Sequence, residues 1–280
     1  MKNPYYTDEP TAISFSGGRT SAYMLYKVIE AHGGTLPDHV KVLFANTGKE
    51  MPETLDFVRD CGQQWGVDIV WVECRVRRGE EGENKYVYST VVVDHATASR
   101  KGEPFEQLIT ARNYLPNSMA RFCTSELKVF RIEEYMKSIG LDDHVEFIGL
   151  RADEPRRAVR LHNKNNKGHE TFCPLYVDGV TKEQVGDFWS EQNFDLKLQS
   201  VNGVAAFSNC DLCYLKGGKQ KISMIRERPD LADWWAEQES RIGLFRNDQP
   251  SYSKMKMIAT DQGSLFEFED DDTVPCFCTD

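Results

Sequence analysis

The sequence predicts an α/β protein: a twisted parallel sheet flanked by helices, followed by a helical, cysteine-containing C-terminal region. Three observations predict it. Apolar strand-like runs alternate with segments of helical period across the first 72 residues, the rhythm of a parallel sheet with right-handed crossovers. The two turns richest in glycine and hydroxyls, Ser16–Ser21 and Asn46–Glu50, fall where such sheets bind ligands, beyond the carboxyl ends of the strands. A C-x-x-C, Cys210 and Cys213, then interrupts a C-terminal third with helical signals.

Ala12-Ile13-Ser14-Phe15 reads as the first strand. Ser16-Gly17-Gly18-Arg19-Thr20-Ser21 follows as a turn into a helix whose inner face is Ala22, Leu25, Val28 and Ile29. The glycines let the backbone approach a ligand. The hydroxyls can cap free N–H groups, and the helix N-terminus and Arg19 favour an anion. The spacing matches neither G-x-x-x-x-G-K nor G-x-G-x-x-G. Val40–Ala45 is a second strand, ending in the polar loop Asn46-Thr47-Gly48-Lys49-Glu50. Pro52-Glu53 opens a helix with Leu55, Val58 and Cys61 inward, and Val67–Val72 is a third strand.

Tyr86–Asp94 is β-branched and reads as a further strand. Ser125 caps a helix over about 126–138, and Val145–Leu150 is another strand, ending in Arg151. Thr181 caps a helix to about Gln192. Two more are expected near 221–227 and 232–240, where Trp234-Trp235 reads as packing rather than a base-stacking platform. The end of the chain is rich in glycine, serine and acids and reads as mobile.

The formal charge of −10 argues against an indiscriminate nucleic-acid coat. Six of those negatives lie in the last fourteen residues, so the rest carries about −4 and leaves room for a local basic face. Candidates for it are Arg160, Lys164 and Lys167, with Lys216, Lys219 and Lys221. No apolar run approaches a membrane span, and the N-terminus has no signal-peptide core, which predicts a cytoplasmic protein. Eight cysteines in 280 residues are too sparse for a small disulfide scaffold and point to metal ligation or thiol chemistry. Cys123, Cys173, Cys210 and Cys213 are expected to close a metal site; Cys61 and Cys74 read as packing. Cys276 and Cys278 near the C-terminus suit a thiol relay. The histidines have no metal-binding spacing.

With these pieces in place, the chain resembles the PP-loop ATP pyrophosphatase superfamily, in its phosphoadenylyl-sulfate reductase-like branch. The S-G-G-x-D-S of that family matches Ser16–Ser21, with Thr20 where Asp is usual and Arg19 where many members have Lys. Asn46-Thr47-Gly48 with Glu53-Thr54, Cys123-Thr124-Ser125-Glu126-Leu127-Lys128 and Gly149-Leu150-Arg151 follow in the family's order.

The resemblance implies an adenine nucleotide α-hydrolase-like fold. It places a PP-loop nucleotide-binding domain over residues 1–170, and a cysteine-containing region with an acidic tail over 171–280. It implies that Ser14, Ser16, Gly17, Gly18, Arg19, Thr20, Ser21, Asn46, Thr47 and Gly149 bind the nucleotide. Arg19, Lys128, Arg151 and Arg157, with Mg2+, would neutralise the phosphates of ATP as pyrophosphate leaves. The cysteine pattern is similar to that of the DNA phosphorothioation members, which implies a [4Fe–4S] cluster, with zinc as the alternative. Its partners on this view are DNA and a cysteine desulfurase, and its assembly a homodimer. Two other functions fit the same residues: a sulfonucleotide reductase using Cys276 or Cys278, and a non-catalytic nucleotide-binding partner.

Overall fold

The computed structural model describes residues 3–162, 170–198, 200–201, 204–205 and 210–261. In chain order the first half contains β1 (Thr11–Ser14), α1 (Arg19–Ala31), β2 (Val40–Asn46), α2 (Pro52–Trp65), β3 (Ile69–Arg78), β4 (Tyr86–Val93) and α3 (Glu103–Arg112). A helical stretch follows as α4 (Phe122–Thr124), a π-helical turn (Ser125–Val129) and α5 (Phe130–Ser138). Then come β5 (Val145–Ile148), α6 (Pro155–His162), β6 (Glu170–Phe172), α7 (Pro174–Val177) and α8 (Lys182–Ser190). A small hairpin, β7 (Ser200–Val201) and β8 (Val204–Ala205), precedes α9 (Gly218–Glu227), α10 (Leu231–Ile242) and α11 (Tyr252–Thr260).

The main sheet has six strands in the order β4-β3-β2-β1-β5-β6. All neighbours pair in parallel except β3 and β4. The expected parallel sheet therefore carries one antiparallel edge strand, β4, which returns from β3 by a local loop and needs no crossover helix. Successive residues of β2 face opposite ways. Val42 and Phe44 join Ile13 and Trp71 under α1 and α2, while Leu43 and Ala45 join Ala12 and Val72 under Ile132 and Met136 of α5. Covering both faces explains the near-continuous apolar strands. Leu175, Val185 and Trp189 complete the α1/α2 side, so residues beyond β6 pack on the phosphate-turn helix. A separate core joins α3 to α9, α10 and α11 around the nearly inaccessible Trp235 and Tyr252.

Helices α3, α6, α7 and α11 and the short strand β6 have no counterpart in the sequence patterns. Ser125 does not cap a helix: it lies in αR conformation where α4 passes into the π turn. Lys216 and Lys221 are buried rather than set on a basic face. Lys216 Nζ donates to the Cys210 carbonyl at 3.0 Å, and Lys221 Nζ bonds Gln249. Lys164 and Lys167, the tail, and Cys276 and Cys278 lie outside the described residues. Among the described residues no helix is long and apolar enough to cross a membrane.

Candidate functional site

Two neighbouring sites emerge at the carboxyl ends of the strands. The first is the turn after β1. The chain passes from β1 to β2 on one side, whereas β5 pairs on the other, so the turn sits at the point where strand order reverses. Gly17 has φ +81°, and a Cβ there would lie 2.7 Å from Thr54 Cγ2, so only glycine fits. Gly149, just past β5, is pressed on α1: a Cβ would lie 3.0 Å from Ser21 Cα. Ser21 Oγ donates to the Gly18 carbonyl at 3.0 Å and accepts from Ser16 Oγ at 2.8 Å, which ties the turn across its base. No side chain caps the N-terminus of α1 and no acid lies in its first turn, so its N–H groups and dipole favour an anion. Among the described residues the buried Thr54 Oγ1, beside this turn, has no hydrogen-bond partner. An uncapped helix start suits phosphate oxygens.

Arg151 reaches this turn. Its Nη1 donates to Thr20 Oγ1 at 2.9 Å, and Asp153 at 2.9 Å and Glu154 at 3.5 Å hold the guanidinium. Arg157 enters the group by its ion pair with Glu154. Arg19 is engaged differently: its guanidinium forks onto Asp195, and its carbonyl accepts from Trp189 Nε1 at 2.9 Å.

Asn46 and Thr47 are buried scaffolding of the neighbouring loop. Asn46 Nδ2 donates to Glu73 Oε1 at 2.6 Å and to the Ser99 carbonyl at 2.8 Å. Glu73 is wholly buried and also accepts from Ser99 N at 2.6 Å, Ser99 Oγ at 2.8 Å and Arg75 Nη1 at 2.5 Å. Thr47 N and Oγ1 donate to Glu50 at 2.8 and 2.9 Å.

Glu50 belongs to the second site, a cavity lined by Thr47, Cys123, Lys128, Cys210, Cys213 and Tyr214, among others. Lys128 Nζ lies 3.5 Å from Glu50 Oε1, so this lysine serves the thiol cavity rather than the turn after β1. Cys210 Sγ donates to the same oxygen at 3.9 Å, and Cys123 Sγ is 3.4 Å from Tyr214 Oη. Cys123, in α4, and Lys128, in the π turn that follows, both face this cavity. The C-x-x-C loop is fastened to the loop after β2: Glu50 bridges Cys210, Asp211 N donates to the Lys49 carbonyl at 2.8 Å, and Lys49 Nζ pairs with Asp211 Oδ2 at 2.8 Å. Trp235 Nε1 donates to Asp211 Oδ1 at 2.8 Å, and Lys49 Nζ sits 4.8 Å from the Trp234 ring centroid, so both tryptophans pack.

The four expected metal ligands do not converge. Cys123, Cys210 and Cys213 share the cavity, but Cys173, at the end of β6, does not line it. Burial, with Glu146 and Glu154 nearby, pushes the Cys173 thiol up to about 11. Among the described residues no three Cys, His, Asp or Glu side chains are grouped to hold a metal ion. Among the described residues the four cysteines therefore do not come together in one site. Cys61 and Cys74 are buried packing residues, with Cys74 pushed up to about 11 by burial. Glu73, Glu50, Asp195 and Asp211 were missed. A charge inside the apolar run Ile69–Cys74 was the signal for Glu73, since a buried carboxylate needs partners.

This geometry defines a class: an open α/β sheet with a glycine turn and a helix start at its switch point. The chain belongs to the phosphoadenosine phosphosulfate reductase domain family, whose pattern matches residues 10–196. It is 29% identical over 213 residues to the uncharacterized nin region protein ORF290 of Escherichia phage lambda, covering 76% of this chain and 68% of that one. It is 27% identical over 155 residues to an uncharacterized protein of Methanocaldococcus jannaschii, covering 55% of this chain and 25% of that protein. A crystal structure of phosphoadenylyl-sulfate (PAPS) reductase from Candida auris, in a phosphate complex, overlaps 66% of this chain and 73% of its own. Its identity is 16% and its TM-score 0.37, too loose an overlap to add to the strand order.

Proposed function

We propose that the chain is an ATP pyrophosphatase that activates an acceptor for sulfur incorporation, with the DNA backbone as the acceptor and a cysteine desulfurase as the sulfur source. The observation that carries this reading is the turn after β1, where an uncapped helix start and Arg151 on Thr20 converge. MgATP would seat its phosphates on the N–H groups of α1, with Arg151 offsetting charge as pyrophosphate leaves. Gly17 and Gly149 keep side chains out of that approach. The thiol cavity lies on the adjoining loop, suited to deliver sulfur to an activated acceptor.

The test is pyrophosphate release from MgATP by the purified chain, with and without duplex DNA and a cysteine desulfurase. Release stimulated by DNA supports the full reading, and release indifferent to DNA assigns another acceptor. No release under any condition sinks it and leaves a nucleotide-binding partner. A second reading, reduction of an adenylyl sulfate, is favoured by the description of the family itself. It predicts sulfite release with a dithiol reductant, abolished by Cys276→Ser or Cys278→Ser.

A further inference from the structure

We infer that the cavity beside the loop after β2 is a sulfane-sulfur relay, in which Cys210 takes a sulfur atom from a persulfide and Cys213 releases it. The inference rests on the sulfur-incorporation reading for its purpose, but on its own geometry for its chemistry. Three cysteines meet in one cavity, and Cys173 stands apart, which removes the fourth ligand a cluster would use. Beside that cavity stands an acid–base pair next to a thiol. Cys210 Sγ lies 3.9 Å from Glu50 Oε1, and Lys128 Nζ stands 3.5 Å from the same oxygen. Glu50 is held by two bonds from Thr47, so the acceptor is pre-set.

The steps balance as follows. Cys210 passes its thiol proton to Glu50 and attacks the outer sulfur of a protein or low-molecular-weight persulfide, R–S–SH. The S–S bond breaks, Cys210–S–SH forms, and the R–S− leaving group takes up the proton as R–SH. Cys213, three residues on and lining the same cavity, then attacks the inner sulfur as its thiolate. A Cys210–Cys213 disulfide forms and hydrosulfide leaves, the nucleophile an adenylated acceptor requires. An external dithiol reduces the disulfide and returns the site to its starting state.

The experiment is anaerobic loading of the full chain with glutathione persulfide, without ATP, followed by intact and peptide mass spectrometry. Wild type should gain one sulfur atom on Cys210 and then lose it as the Cys210–Cys213 disulfide appears, with sulfide released. Cys213→Ser should hold the extra sulfur at least tenfold longer. Cys210→Ser should take up none in the cavity while keeping the native circular dichroism spectrum, and Glu50→Gln should load more slowly. Persulfide confined to Cys276 or Cys278, or decay unchanged in Cys213→Ser, overturns the inference. So does an anaerobically purified chain whose iron and acid-labile sulfide disappear in Cys210→Ser. Pyrophosphate release is a separate readout: a chain that loads sulfur but releases none keeps the relay and loses the ATP reading.

Discussion

Gly17 combines a left-handed backbone with a packed wall, Thr54 Cγ2 at 2.7 Å from its missing Cβ. Gly17→Ala is expected to cost about 1–2 kcal/mol from the φ penalty alone and to abolish nucleotide binding. Urea denaturation and calorimetric titration with a non-hydrolysable ATP analogue check both. Arg19 is held by Asp195 at a half-exposed pair. Asp195→Asn should therefore tighten nucleotide binding several-fold at low salt, with the gain shrinking as salt rises, because the pair competes with phosphate. An unchanged affinity would remove Arg19 from the phosphate set. At Cys173 burial raises the thiol first, Glu146 and Glu154 add to it, and Arg157 opposes them. The fold holds that proton more tightly than the unfolded chain does. The stabilisation is complete below the ordinary thiol value of 9.0 and is lost as pH rises through about 11. Alkylation of Cys173 should accordingly stay slow at pH 8 and accelerate only toward pH 11.

At the scale of elements, the loop after β2 and the C-x-x-C loop are fastened by a buried ion pair, Lys49 with Asp211, which also accepts the Trp235 indole. Lys49→Met leaves Asp211 charged and buried, and should lower stability by about 3–5 kcal/mol. A loss under about 1 kcal/mol in a denaturant titration would mean the pair is water-screened. Which elements the sequence made legible follows from what each depends on. β1, β2 and β3 depend on apolar runs, and α1 and α2 on the period of Leu25, Val28, Leu55 and Val58, all local signals. The turn after β1 is local too, since glycines, hydroxyls and a helix start are adjacent in sequence. α3 escaped notice because its start, Glu103-Pro104, reads as a turn. The π turn escaped because its inserted residue leaves no mark on the apolar pattern. Glu50 beside Cys210 joins residues 160 positions apart, which no periodicity carries.

Across the whole molecule, Cys173 is kept from Cys123, Cys210 and Cys213 for a topological reason. β6 extends the sheet past β5, on the other side of β1 from β2. Cys173 ends β6, whereas the C-x-x-C loop is fastened to the loop after β2. Lys216 and Lys221 drop out of the expected basic face for a packing reason, since both are buried beside the C-terminal helices, while Lys219 is exposed. The βαβ rhythm implied parallel pairing for β1, β2 and β3, whereas the place of β5 beside β1, the antiparallel β4 and the short edge strand β6 left no such signal.

Thr47 is a wall of the thiol cavity and belongs to the loop expected to meet the nucleotide, while its own N–H and hydroxyl fix Glu50. One residue with obligations to two ligands makes their binding energies interdependent, and thermodynamic linkage makes that dependence symmetric. If saturating nucleotide shifts the Cys210–Cys213 dithiol–disulfide equilibrium by some factor, oxidation must change nucleotide affinity by the same factor. We expect a factor of about five or more, within the usual range of such couplings. Redox titration with and without nucleotide, set against calorimetry on the reduced and oxidised chain, measures it from both ends. A factor of one in both would make Thr47 a shared wall and no more.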